Sequence, residues 1–264
     1  MTSANLTGVP ETMLWTLHNR ASESKRPGGI ISDPACERIY DAIDYDYERS
    51  FGRPDGVHAM RSKLFDGAVR PWLADHPSAT VVELGAGLET QFQRCDNGSV
   101  RWLCVDVPES IEIRERFLPA TDRCRHLGVS ALDSAWLDEV ADGPVFVTAQ
   151  GLFMYFEEQQ VHELVTAIFD RFDQVTLMFD AIPPYFARKT LAGHRKNAHY
   201  TVPPMPWGIK RDDIEPLLRR WVPRITDVTV TSFAPTNGPL PRLLPLFELP
   251  ILRNIPPSIA LVRS

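Results

Sequence analysis

Three observations predict an α/β fold built on a doubly wound, mostly parallel sheet. The run T-V-V-E-L from Thr80 to Leu84 is apolar and β-branched, and it breaks abruptly into Gly85-Ala86-Gly87. Short apolar runs then alternate with helical segments. The second run, 100–105, ends in Asp106, an acid at the strand tip where a ribose can be held by its hydroxyls.

In chain order, Pro10 to Ser24 reads as a helix, with Pro10 suiting its first turn and Leu14, Leu17 and Ala21 on one side. A basic loop over Lys25 to Gly29 follows. The pattern is helical again from Ile31 to Ile43, with Asp33 as N-cap and Pro34 at the first helical position. After Tyr45, Tyr47 and Phe51 and a turn over 52–56, a third helix runs from Val57 to Ala74 with Met60, Leu64, Ala68 and Trp72 on one face. These helices make an N-terminal cap, 1–79, expected either to cover the site or to pack outside the sheet.

The core, 80–264, opens with strands over 80–84, 100–105, 125–129, 145–149 and 175–179. Helices fall near 90–95, 109–117, 135–140 and 157–172. Residues 182–208 are too rich in proline for one long helix. They are expected to form a lid or pocket wall, with a surface connection as the alternative. A helix over Arg211 to Arg220, a strand over Arg224 to Phe233, a proline-rich stretch over Leu240 to Asn254 and a strand over Ser258 to Val262 follow. The last two strands are expected to pair at one sheet edge, the C-terminal one antiparallel. The 264 residues read as a single domain.

Composition narrows the partners. A net charge of −6 without a basic stripe argues against nucleic acid. Cys36, Cys95, Cys104 and Cys124 contain no C-x-x-C pair and read as reduced thiols. No apolar stretch is long enough for a bilayer, and M-T-S-A-N-L-T-G lacks signal-peptide character. A cytoplasmic protein is expected, with no membrane partner.

Two cofactors suit a glycine bend with an acid on the next strand. A dinucleotide needs a third small residue where Thr90 stands, and Glu89 in the first turn would oppose a pyrophosphate. S-adenosylmethionine carries a sulfonium and a free amine instead of phosphate, so Glu83 and Glu89 favour it. A βαβ turn that holds no ligand is the plainer alternative.

The run E-L-G-A-G-L-E-T-Q-F-Q-R resembles the first motif of the leucine carboxyl methyltransferase superfamily. M-R-S-K-L-F-D (Met60 to Asp66) and A-Q-G-L-F-M-Y-F (Ala149 to Phe156) are similar to two further segments of that family. G-V-P-E-T, N-R-A, I-D-Y-D-Y and P-P-M-P-W-G resemble its tetracenomycin-pathway O-methyltransferase branch. The resemblance implies a Rossmann-like class I methyltransferase fold using S-adenosylmethionine and releasing S-adenosylhomocysteine.

It also implies site residues. Arg61, and more weakly Arg20, would meet the methionine carboxylate. Glu83, Gly85 and Gly87 would line the methionine and ribose portions, Asp106 and Val107 the ribose, and Ser130 and Ala131 the adenine. Gln150 stands where much of the superfamily has Glu and would accept from the cofactor amine.

The expected reaction is methyl transfer to a carboxyl or hydroxyl of a small aromatic, polyketide-like acceptor. A carboxylate needs no base, whereas a phenol with a pKa near 10 benefits from one. Base candidates are His199, His194, Tyr155, Tyr185 and Tyr200, and no Asp/His cluster points to a metal. Trp15, Tyr155, Tyr185, His199, Tyr200 and Trp207 are the expected acceptor pocket. A protein C-terminal carboxyl methyltransferase and a non-catalytic cofactor-binding protein are the alternatives.

Overall fold

In a computed structural model that describes residues 2–3, 11–234, 249–250 and 252–264, the N-terminal part is helical, as its apolar periodicity predicts. A two-residue strand β1 (Thr2–Ser3) pairs in parallel with β2 (Ile43–Asp44). Between and after them come α1 (Thr12–Lys25), α2 (Pro34–Ala42), α3 (Tyr47–Phe51) and α4 (Val57–Asp75). Asp33 caps α2 by accepting from Cys36 N–H, with Pro34 in the first turn. Gly8 to Pro10 of the G-V-P-E-T motif, with Pro10 the expected start of the first helix, lie outside the described residues.

The core alternates as expected: β3 (Thr80–Leu84), α5 (Gln91–Cys95), β4 (Arg101–Asp106), α6 (Pro108–Phe117), β5 (Cys124–Gly128), α7 (Ala135–Asp138), β6 (Val145–Ala149), α8 (Glu158–Arg171) and β7 (Val175–Ala181). Helices α9 (Pro184–Leu191) and α10 (Arg211–Trp221) and strands β8 (Asp227–Ser232) and β9 (Ser258–Arg263) complete it. Among the described residues the main sheet has seven strands in the order β5-β4-β3-β6-β7-β9-β8. The β3–β4, β3–β6, β4–β5 and β6–β7 pairs are parallel, and β9 runs antiparallel to both β7 and β8. The antiparallel C-terminal strand thus lies one in from this edge, which β8 forms. Much of the expected 240–254 stretch lies outside the described residues.

Both faces are covered, so β3, β6 and β7 are buried along their whole length. Helices α8 and α10 pack on one face around Val82, Val147, Phe169, Leu177 and Leu218. Helices α4 and α5 cover the other around Phe65, Val69, Trp102 and Phe146. The deepest stripe of α4 is Phe65, Val69 and Leu73, while the expected Met60, Leu64, Ala68 and Trp72 are half-buried beside it.

The 182–208 segment is not one long helix, and several of its residues wall the cavity described below. It contains α9, started by Pro184 at a position that needs no N–H donor. Ala187, Tyr200, Val202 and Met205 share one apolar cluster with Leu14, Leu17, Ile39 and Phe51. The insertion and the cap are therefore packed together above the strand ends. Among the described residues no helix is long and apolar enough to cross a membrane.

Phe169 is fully buried between α8 and the sheet. Phe169→Ala is expected to destabilise the fold by about 3–5 kcal/mol, read as a lowered urea midpoint with an unchanged slope.

Candidate active site

The order of strands reverses between β3 and β6, which leaves a crevice at their carboxyl ends. A cavity of about 600 Å³ lies there, lined by Leu84 to Glu89, by Asp106 and Val107, by Ser130 and Ala131, and by Gln150 and Gly151. This volume is within the usual range for small-molecule sites.

The glycine bend needs its glycines. Gly85 and Gly87 have φ of +66° and +42°. A Cβ on Gly85 would lie 2.9 Å from Leu152 Cδ1, and one on Gly87 would lie 3.3 Å from Met13 Cβ. Beneath the bend, fully buried Arg114 donates from Nη1 to the carbonyls of Ala86 (3.3 Å), Gly87 (2.9 Å) and Glu89 (2.7 Å). Asp106 is aimed by two backbone donors, Gly87 N–H to Oδ2 (2.8 Å) and Val107 N–H to Oδ1 (2.7 Å). Burial still raises the Asp106 carboxyl above its ordinary value, and these bonds lower it in opposition.

Arg61 reaches the cavity from α4 and donates from Nη1 to Asp180 Oδ2 at 3.1 Å. Asp180, at the end of β7, also accepts from Gly151 N–H at 2.5 Å. Arg61 Nε is buried without a partner, as is Gln150 Oε1. Gly151 has φ of +65°, and a Cβ there would lie 2.6 Å from Arg61 Nη1. Two orphaned polar atoms, a cation and a bare peptide thus meet on one wall. These residues fit the amino-acid end of S-adenosylmethionine, and Asp106 fits its ribose.

Glu83 lines the cavity, but its Oε2 accepts from Trp102 Nε1 at 3.1 Å and lies 4.0 Å from Arg114 Nη2. Burial holds this carboxyl well above the usual carboxylate range, so Glu83 does not offer a dependable negative charge.

Arg20 takes a different place from the one expected. Its guanidinium is wholly buried and donates to Glu89 Oε1 (2.8 Å), Thr90 Oγ1 (2.9 Å) and the Leu88 carbonyl (2.8 Å). It does not line the cavity. Arg94 reaches the same cluster, pairing with Asp33 (2.7 Å), Glu89 (2.8 Å) and Asp66 (2.7 Å), and Ser62 Oγ donates to Glu89 Oε2 at 2.9 Å. Burial alone would raise the Glu89 carboxyl, but Arg20 and Arg94 hold it well below the usual carboxylate range.

Of the expected acceptor residues, Trp15, Tyr155 and Tyr185 line the cavity. His199, Tyr200 and Trp207 do not. His199 is exposed, and its side chain lies outside the cavity. Tyr200 is buried between Phe51 (4.9 Å between ring centroids) and Trp15 (6.0 Å). Trp207 packs against Phe153 and Phe179 over the sheet. Burial pushes the Tyr155 phenol up to about 12, which makes it a donor rather than a base at neutral pH.

The cap and insertion contribute residues that the sequence did not single out, His58, Asp55, Lys196 and Phe186, and β7 contributes another, Asp180. His194, already a base candidate, also lines the cavity. Proline at a helix start and the i, i+3 step from His58 to Arg61 were available signals, but neither says which face meets a cavity. The ligating atoms of Cys104, Cys124 and His126 come within 4.8 Å of one another across β4 and β5. Arg114 Nε donates to His126 Nε2 at 3.3 Å, and its cation opposes a second positive charge there.

Comparison with known proteins agrees with this geometry. Residues 13–169 match the family model described as leucine carboxyl methyltransferase. The chain is 34% identical over 208 residues to the tetracenomycin polyketide synthesis O-methyltransferase TcmP of Streptomyces glaucescens, covering 77% of this chain and 76% of that protein. It is 28% identical over 186 residues to the S-adenosyl-L-methionine-dependent methyltransferase dpfgK of Gibberella zeae, covering 63% of this chain and 62% of that protein. In fold it is similar to the N-methyltransferase NodS of Bradyrhizobium japonicum WM9 solved with S-adenosyl-L-homocysteine, with a TM-score of 0.51 and 11% identity over 88% of this chain and 99% of that one.

The folded Glu89 carboxyl titrates below its unfolded value of about 4.3, so its stabilisation is present above that pH and is lost as pH falls toward the folded value. Glu89→Gln is expected to cost about 3–5 kcal/mol at neutral pH. In urea titrations the gap to the wild type should narrow between about pH 5 and about pH 3.

Proposed function

The chain belongs to the leucine carboxyl methyltransferase family, and from that premise we propose that this S-adenosylmethionine-dependent methyltransferase acts on an oxygen of a small aromatic acceptor. One observation carries the reading: the glycine bend, Arg61, the orphaned Gln150 oxygen and Asp106 line a single cavity that continues into an aromatic wall.

In this reading Arg61 holds the methionine carboxylate, with Asp180 fixing the guanidinium, and Gln150 Oε1 accepts from the amine. Gly85 and Gly87 let the ligand lie on bare backbone. Asp106 takes the ribose hydroxyls, with Val107 beside it, and Ser130 and Ala131 flank the adenine. When bound, the sulfonium supplies an electrophilic methyl group.

The protein's own contribution is alignment and exclusion of water. Trp15, Tyr155, Tyr185 and Phe186 present flat apolar surface to the acceptor. The polyketide context named for the S. glaucescens relative supports an aromatic acceptor. The cap over 1–79 and the core over 80–264 act as one unit, because the cavity draws side chains from both.

Calorimetric titration with S-adenosylhomocysteine tests the reading. Saturable binding is expected, weakened at least about tenfold (about 1.4 kcal/mol) by Arg61→Met or Asp106→Ala. Turnover of S-adenosylmethionine on a panel of aromatic acids and phenols is the companion measurement. Absence of binding by the wild type would overturn the reading.

A further inference from the structure

On the acceptor side, two polar groups lie against the same ring. The His58 ring meets Trp15 edge-on, with centroids 5.3 Å apart and planes at 83°. Lys196 Nζ stands over the Trp15 ring, 4.3 Å from its centroid. His58 comes from the first turn of α4 and Lys196 from the insertion, and both line the cavity.

The tautomer of His58 follows from its neighbours. Asp55 N–H donates to Asn19 Oδ1 at 3.0 Å, which leaves the Asn19 amide nitrogen to face His58 Nδ1 at 2.8 Å. An amide nitrogen only donates, so Nδ1 accepts and Nε2 carries the proton. Burial, and then the positive charges of Arg61 and Lys196, hold His58 well below its ordinary value and keep it neutral. Nε2–H is bonded to no protein group among the described residues. Lys196 forms no ion pair among them either, and burial lowers its ammonium, with Asp55 acting against this. Asp55 is the acid on this side, and its Oδ1 accepts from Val57 N–H at the start of α4 (3.1 Å).

We propose that His58 Nε2–H and the Lys196 ammonium form an anion-binding subsite that takes the carboxylate of an aromatic acid, the methyl acceptor; this rests on the methyltransferase reading of the cavity. Two donors, a neutral imidazole N–H and an ammonium, suit an acceptor that is already ionised. One carboxylate oxygen is held by His58 and Lys196, and the other is left for transfer. That oxygen forms the new O–C bond as the S–C bond breaks, with the electron pair left on sulfur. No proton moves, so no base is needed. The ester product is neutral and no longer pairs with Lys196, which favours its release.

The test uses the protein saturated with S-adenosylhomocysteine and two probes of one shape, 2-naphthoate and 2-naphthamide, titrated by calorimetry. The expected result is at least about tenfold tighter binding of the carboxylate. Lys196→Met should remove most of that preference. His58→Phe should weaken 2-naphthoate, with His58→Gln restoring part of the loss through its own N–H. S-adenosylhomocysteine affinity, measured for each variant, should stay within about twofold of the wild type, which separates subsite loss from misfolding. Equal affinity for the two probes, no saturable binding of 2-naphthoate, or an unchanged preference in Lys196→Met would overturn the proposal while the cofactor reading stands. Failure of the wild type to bind S-adenosylhomocysteine would overturn both.

Discussion

A guanidinium removed from water holds the cofactor loop in shape. Arg114 is wholly buried and points one nitrogen at three carbonyls of the bend after β3. The Ala86 carbonyl also accepts from Glu89 N–H at 2.8 Å, so the guanidinium reinforces a turn that leaves the strand and does not yet belong to a helix. The same bend is tied from the other side, where Glu89 meets Arg20, Arg94 and Ser62. Buried ion pairs of this kind add little net stability when intact, but losing one partner strands a charge. Their effect here is geometric, because they join α1, α4 and α5 to the loop that faces the ligand.

The reversal of strand order explains why the remaining residues converge. Asp106, Ser130, Gln150 and Asp180 lie at or just past the ends of four different strands, and parallel pairing puts those ends on one side of the sheet. In the proposed reading the core places the cofactor-facing groups other than Arg61, which α4 supplies. The cap and the insertion, fused into one apolar cluster, place the acceptor-facing ones. Strand ends on one side and a separately packed wall on the other make a division that lets one scaffold serve different acceptors.

Much of this was legible in the residues. The β-branched run before Gly85, the acid at Asp106 and the period change after each strand located the sheet and its crevice, because buried strands and glycine bends have local signatures. Arg61, Gly85, Gly87 and Gln150 reached the cavity because strand ends and the adjoining helix leave them little choice. Arg20 did not, and the reason is long-range: Glu89 and Asp33, distant in sequence, form a cage for it. Trp207 and Tyr200 carried the right chemistry but were taken up by packing, which no spacing rule reports. Nothing in the sequence marks His58 and Lys196, because a single histidine and a single lysine have no periodicity to distinguish them, and it is the ring of Trp15 that brings them together.

The position of β9 bears on how the molecule is assembled. Among the described residues strand β8 pairs with β9 alone, and β9 is what joins it to β7. Because β9 comes after both β7 and β8 in the chain, neither β8 nor the outer edge of β7 has that partner until β9 has been made. An unpaired edge beside an apolar strand invites association with other nascent chains. The half of the sheet that carries the glycine bend can settle early, since β3 to β7 pair among themselves. The far margin must wait for a strand that is inserted last, in the reverse direction, like a keystone.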